Sequence, residues 1–278
     1  MRVTIVQLNS HDDVVLNLRE AARLIRSAHA AEPARLYVLP EYTAFAGGSL
    51  SEKRAVAEVV PSGPISRFFA QLAEELGAAI YCGSINEIEE ERLYNSTVVF
   101  DERGDVIAKY RKLYLMDATL PTGRAIFESN VYSPGSQIIT FELDGVRFGC
   151  STCYDLRFPE LFRAFRRKDV DAIVFAAAMP KVHGSAHLEV LLRARAIETQ
   201  SYLLASNQCG KTANNTRESS GQSMIVDPWG AIESRLDDEV GYLTHDLDLG
   251  QVREVRSRMP VIRAADLVLA SGVYSKEF

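Results

Sequence analysis

The stretch VRFGCSTCYDLRFPE, Val146 to Glu160, most limits what this chain can fold into. Val146, Phe148 and Cys150 alternate with Arg147 and Gly149, the period of a strand. Pro159 then opens ELFRAFRR, where Leu161, Phe162 and Phe165 recur at helical spacing. Cys153 lies in the short turn between strand and helix. Open α/β sheets bind ligands at the carboxyl ends of their strands, and a helix start lowers a thiol pKa. The position therefore suits a nucleophile. A small buried apolar side chain is the competing reading.

The rest of the chain accommodates such a unit. Its 278 residues, 47% hydrophobic and 24% charged, fit one large α/β domain or two ordinary ones. No linker or low-complexity segment divides them, so a single domain over residues 1–278 is expected. The formal net charge of -6 is spread among interspersed acids and bases. No basic block points to nucleic acid, and no basic amphipathic helix or long apolar run points to a membrane. The opening MRVTIVQLNS reads as a strand, not as a secretion signal. Four cysteines in a chain this long do not make a disulfide framework. Cys82, Cys150 and Cys209 are expected to be reduced packing residues, which points to the cytoplasm.

In chain order, Arg2 to Leu8 reads as a strand. Asp12 and Asp13 offer an N-cap for a helix whose Leu18, Ala21, Ala22 and Ile25 share a face. RLYVLP is a strand stopped by Pro40, with Glu41 just past its end. Residues 42 to 62 are irregular with a short helical piece. Pro64 opens a helix that Gly77 closes. AAIYCGSINE, LYNSTVVFD and DVIAKYRK are strands, the last delivering Lys112. Residues 113 to 137 show no period and read as a long loop containing Glu128; such loops are usually functional.

The second half repeats the order of the first. After VRFGCSTC and its helix come a strand (DAIVFAAAMP), a helix (AHLEVLLRARAIETQ) and a strand (SYLLASNQ). A hairpin about PWG and the strand GYLTHDLDL follow. AAIYCGS resembles SYLLASN, and TVVFDERGDVIAKYRK resembles SMIVDPWGAIESRLDD. The expected fold is α/β: a four-layer α-β-β-α sandwich of two mixed sheets with internal pseudo-symmetry. The tail, residues 260–278, is irregular and partly apolar, and is read either as a subunit contact or as packing on its own core.

Glu41, Lys112 and Cys153 each follow the carboxyl end of a strand. If those strands are parallel neighbours, the three meet in one cleft. The contexts LPEY, YRKLYL and CSTCYDLRFPE occur in the order of the nitrilase superfamily, the carbon–nitrogen hydrolases, and the chain resembles that family nearly throughout. The resemblance implies Glu41 as general base, Lys112 as catalytic lysine and Cys153 as nucleophile. It implies Glu128 as the second glutamate of amidase branches, there to orient Lys112 or to position substrate. CYDLRFPE with LLRARAIETQ and VDPWG is similar to amidase branches acting on ω-amides and on deaminated glutathione, amides that carry an α-keto acid. One departure is His187-Leu188, where those branches usually carry a Trp after the His. It follows the MPKVHGS loop and leaves the exact substrate open.

The chemistry fits the residue types. A thiolate adds to an amide carbonyl if a base takes its proton, and the same group can pass that proton to the leaving amine. Lys112 and the backbone N–H after Cys153 can steady the oxyanion, one such donor being worth about 3 kcal/mol. Arg157 is the expected ligand for a substrate carboxylate; an ion pair with Glu160 is its structural alternative. Lys181 and His183 are further candidates, and Tyr42, Tyr154 and Tyr94 are candidate pocket walls. The expected partner is a small-molecule amide, with a homodimer or higher homo-oligomer, no cofactor and no metal. Three rival readings remain open to such a sequence: a Cys–His hydrolase, a metal site at His183 and His187, and an inactive binding module. The first leaves Glu41 and Lys112 without roles, and the second has no placed acidic third ligand.

Overall fold

Two runs of strands, each containing three parallel members, build the molecule. The structure, a computed structural model, describes residues 1–120, 123, 125–211 and 218–261. The first half contains β1 (Arg2–Gln7), α1 (Val14–Ala31), β2 (Leu36–Val38), α2 (Leu50–Ala55), α3 (Pro64–Leu76), β3 (Ala79–Glu89), β4 (Arg92–Phe100) and β5 (Val106–Arg111). Local signals set its helix ends. The Asp13 carboxylate accepts the Leu16 N–H at the start of α1. Ser49 and Glu52 form a capping box on α2. Pro64 starts α3, and Gly77, at φ 58°, ends it in the left-handed region.

A hairpin of β6 (Asp117–Thr119) and β7 (Ala125–Phe127) leads into a 3-10 turn, Glu128–Asn130. Next come β8 (Thr140–Leu143), β9 (Val146–Thr152), α4 (Pro159–Arg167), β10 (Ala172–Ala177), α5 (Lys181–Thr199) and β11 (Tyr202–Asn207). The chain continues with β12 (Cys209–Lys211), β13 (Glu218–Ser220), β14 (Met224–Val226), β15 (Ile232–Arg235), β16 (Gly241–Asp246) and α6 (Leu249–Arg258).

The first sheet has the order β16-β1-β2-β3-β4-β5 and the second β15-β14-β11-β10-β9-β8. Read from the opposite edge, the second repeats the first strand for strand. Each has an antiparallel edge strand, three parallel strands and an antiparallel pair. This is the expected pseudo-symmetry. The faces sort by period two. Val3 and Ile5 of β1 meet Phe148 and Cys150 of β9 and Val174 of β10 in a core between the sheets. Val6 and Leu8 turn outward to Ala21, Ile25, Phe69 and Leu72 of α1 and α3. On the far side, Phe162 and Phe165 of α4 and Leu188 and Leu192 of α5 cover the second sheet. The layers therefore run α-β-β-α.

Five features differ from the sequence reading. The expected loop 113–137 contains the β6–β7 hairpin. The MPKVHGS loop is instead the end of a strand connection and the first turn of α5, which begins at Lys181. The strand β8, the β12–β13 hairpin and α6 carried no signal strong enough to be read. The tail lies outside the described residues beyond Val261. Among the described residues no helix is long and apolar enough to cross a membrane. Cys82, Cys150 and Cys209 are buried and unpaired, as expected of packing residues.

Candidate active site

Glu41 follows β2 through Leu39 and Pro40, and its side chain is fully buried. The next residue, Tyr42, takes φ 60°, and its N–H donates to Ser84 Oγ at 2.8 Å. This sharp turn needs a glycine opposite. A Cβ on Gly83 would overlap the Leu39 and Pro40 carbonyl oxygens, so β3 has no side chain where the Glu41 turn crosses it. Below the turn, the Gln208 side chain donates to the Glu41 carbonyl at 3.0 Å.

Every oxygen of the Glu41 carboxylate has a donor. Oε1 accepts from Asn95 Nδ2 at 2.9 Å and Lys112 Nζ at 3.0 Å; Oε2 accepts the Ala178 N–H at 3.0 Å. Lys112 follows the last residue of β5. Its N–H donates to Asn95 O, and its carbonyl accepts the Gly135 N–H. Its ammonium, wholly buried, also donates to Glu128 Oε2 at 2.7 Å. Burial works against that charge, but Glu128 and Glu41 outweigh it and hold the Lys112 pKa well above its usual value. Burial likewise opposes ionisation of Glu128. Lys112, the Met116 N–H and the Tyr42 hydroxyl reverse the balance and keep Glu128 below the usual carboxylate range. The cluster thus has two carboxylates about one ammonium.

Cys153 comes from the other sheet. It follows β9 and starts a 3-10 helix, Cys153–Arg157, whose Thr152 and Asp155 form a capping box. Its φ of 47° is the left-handed region, a strain of about 1–3 kcal/mol for a residue with a Cβ. The helix start was expected to lower the thiol pKa. Instead burial raises it far above the usual value, and the Glu41 charge raises it further. Lys112 and the Ala178 N–H only partly oppose this. The resting sulfur is therefore a protonated thiol, and a neighbouring base must remove its proton.

Glu41, Tyr42, Glu128, Cys153 and Ala178 line one cavity of about 940 Å³, with Lys53, Lys181, Met116, Ile126 and Phe127 among its other walls. The three strands named in the sequence reading are not all neighbours. β2 and β5 are separated by β3 and β4, and β9 belongs to the second sheet. Face-to-face packing of the sheets is what brings Cys153 to the Glu41–Lys112 pair.

The expected substrate residues divide. Tyr42 and Lys181 line the cavity; Arg157, Tyr154 and His183 do not. In a 3-10 turn residues i and i+3 eclipse. Leu156, fully buried, therefore shares the side of Cys153, and Arg157 is carried past it. The Arg157 guanidinium reaches His187 Nδ1 at 3.3 Å and lies 5.8 Å from the Tyr154 ring, rather than pairing with Glu160. Tyr154 sets its ring edgewise to Phe158. His183 stacks on His187 at 5.9 Å; burial first, then Arg157 and His187, lower its pKa. Lys181 is engaged by Glu218 at 3.0 Å and Asp238 at 3.4 Å. Tyr94 is covered by Arg111 at 3.8 Å.

Sequence reasoning missed Asn95, Ala178, Asp155 and Lys53. Asn95 is a polar residue inside a buried strand and Asp155 the last residue of a T-x-x-D box, so both carried a readable signal. Ala178 acts through its backbone and carried none. Lys53, on α2, places its ammonium 5.1 Å from the Tyr132 ring and 5.8 Å from the Tyr42 ring.

The carbon-nitrogen hydrolase family profile matches residues 2–257. A deaminated glutathione amidase of Bos taurus is 36% identical over 267 residues, 94% of this chain and 80% of that protein. The human omega-amidase NIT2 is 31% identical over 94% of each chain. The crystal structure of Nit3 from Saccharomyces cerevisiae, of branch 10 of the nitrilase superfamily, superposes with a TM-score of 0.84. It is 30% identical, with 94% of each chain covered. Sequence, sandwich and site geometry agree: the chain belongs to the carbon-nitrogen hydrolase family, hydrolases of C–N bonds other than peptide bonds.

Proposed function

We propose that this protein is an amidase that hydrolyses a small linear amide bearing a carboxylate or α-keto acid, through a thioester on Cys153. The observation that carries the reading is that Glu41 and Glu128, joined through the buried Lys112 ammonium, line one cavity with Cys153. Glu41 takes the thiol proton as sulfur adds to the amide carbon. Lys112, with the backbone N–H after Cys153, steadies the oxyanion. The intermediate collapses with cleavage of the C–N bond, and the amine leaves with the proton that Glu41 returns. Water, activated by Glu41, then adds to the thioester carbon; the C–S bond breaks, releasing the acid and the thiol. Glu128 orients Lys112 throughout.

The carboxylate ligand proposed for the substrate is Lys53. It lines the cavity, and its ammonium lies over Tyr42, whose hydroxyl donates to Glu128 at 2.9 Å. Arg157, by contrast, is off the cavity wall. An ω-amide of the 2-oxoglutaramate type fits this arrangement. Deaminated glutathione is the second reading. It is favoured by a cavity of about 940 Å³, far larger than a five-carbon acid fills, and by the name of the Bos taurus relative above.

The deciding experiment compares 2-oxoglutaramate, deaminated glutathione, an N-carbamoyl amino acid and neutral butyramide. Release of ammonia or of the amine is followed with and without iodoacetamide. Turnover lost as Cys153 is alkylated supports the thioester route. Binding of an amide without turnover would instead favour a binding module on this fold. The four buried, unpaired cysteines suit a reducing, cytoplasmic setting. We further propose a homodimer. Val190 and Ile197 on α5 and Trp229 beside them stand exposed and offer a contact face, which sedimentation of wild type and Trp229→Lys tests.

A further inference from the structure

Asp155 is fully buried two residues after the nucleophile, and it lies outside the proton-transfer and oxyanion roles assigned above. Its carboxylate has three partners in two parts of the molecule. Oδ2 accepts the Thr152 N–H at 2.7 Å, closing the capping box on the turn that carries Cys153. The same oxygen accepts the Tyr110 hydroxyl at 2.6 Å, and Oδ1 accepts the Tyr114 N–H at 3.0 Å. Tyr110 and Tyr114 lie two residues before and two residues after Lys112. One side chain on the second sheet therefore grips both flanks of the lysine segment on the first. The Tyr110 oxygen in turn accepts the Leu113 N–H at 3.3 Å, tightening the same segment.

We infer that Asp155 is a positioning residue, which sets Cys153 against Lys112 by bolting the nucleophile turn to the lysine segment. The Lys112 backbone is held by hydrogen bonds to Asn95 on β4 and to Gly135 in the segment before β8. Those bonds fix it relative to Glu41 but not relative to Cys153. A sulfur and an oxyanion donor on different sheets keep their separation only if something spans the interface. Misplacement of reacting groups by about 1 Å can cost on the order of 100-fold in rate. Burial raises the Asp155 pKa to about 6, so near neutral pH it bridges as a carboxylate. The Tyr110 hydroxyl and the two N–H groups oppose that rise.

The inference rests on the roles proposed for Cys153 and Lys112, and its test separates the two. Asp155→Asn keeps the shape but turns one acceptor into an NH2 that faces donors. With the most rapidly hydrolysed amide of the panel above, kcat should fall roughly 100-fold while KM stays within about threefold. Circular dichroism should remain that of the folded protein. Tyr110→Phe removes one donor and leaves the carboxylate; it should lower kcat about tenfold at unchanged KM. If Asp155→Asn does not fold, Tyr110→Phe decides alone. A folded Asp155→Asn, or in its absence Tyr110→Phe, with kcat within about twofold of wild type overturns the inference, as does a loss confined to KM. Cys153→Ala is run beside them: if it is active the thioester reading fails, whatever Asp155 does.

Discussion

Lys112 sets the electrostatics of the site, because its one ammonium is the shared counter-charge of two buried carboxylates. Lys112→Ala should lower kcat at least 100-fold by removing an oxyanion donor. It should also destabilise the fold by about 3–5 kcal/mol, since Glu41 and Glu128 lose their counter-charge in a dry site. Steady-state kinetics and urea unfolding read the two effects separately, and a kcat within tenfold of wild type would remove Lys112 from the chemistry. Cys153→Ala should abolish turnover with little change in stability, the lost volume being small. At the cavity wall, Lys53→Gln should raise KM for acidic ω-amides about 10-fold or more, the worth of a charge-assisted contact. It should leave butyramide unaffected. Arg157→Lys should change neither, because Arg157 faces His187 and not the cavity. Should Arg157→Lys raise KM and Lys53→Gln not, the carboxylate assignment reverses.

At the scale of elements, the site depends on how closely strands approach the turns they support. Gly83 and Gly149 show two grades of that constraint. A Cβ at Gly83 meets backbone carbonyls of Leu39 and Pro40, which cannot move without moving Glu41. A Cβ at Gly149 meets the Phe165 ring at 2.9 Å, a side chain on α4 that can give way. Both substitutions should cost about 1–3 kcal/mol of stability as overpacking. Gly83→Ala should in addition lower the kcat of the folded enzyme, whereas Gly149→Ala should lower stability alone. Kinetics at a temperature where both proteins are folded check this. Equal kcat in the two variants would show that the Glu41 turn is not held by β3.

Across the whole molecule, acid stability follows from carboxylates that bind strands together. Glu87 on β3 is almost fully buried, accepts from Ser96 on β4, and pairs with Lys109 and Arg111 on β5. Burial opposes its charge, but the Arg111 and Lys109 pairs and Ser96 prevail, and its folded pKa lies below its usual value. A depressed folded pKa means that the unfolded chain binds the proton more tightly. The contribution of Glu87 is thus present above the unfolded value of about 4.3 and is lost as pH falls through the folded one. Glu87→Gln should therefore cost about 2 kcal/mol from pH 8 down to about 5, with a gap that narrows below about 4.3. Urea midpoints across that range measure it; a gap that widens on acidification would contradict the sign.

What the sequence by itself determined is local. Period two and period 3.6, with Asp13, Pro64, Gly77 and Pro159 as punctuation, set most strands and helices. They also put Glu41, Lys112 and Cys153 at strand ends, because a strand end is visible within a few residues. The paired resemblance of the two halves was legible for the same reason, since each half repeats its own local pattern. Only the tertiary structure decided that the three meet across two sheets, because sheet-on-sheet packing joins Cys153 to residues far from it in the chain. It decided that Asn95 and the Ala178 N–H hold Glu41, contacts that depend on strand register. It turned Arg157 away through the three-residue period of a turn too short to read as a helix. It also raised the Cys153 thiol pKa, since burial is a property of the packed core and of no single segment of chain.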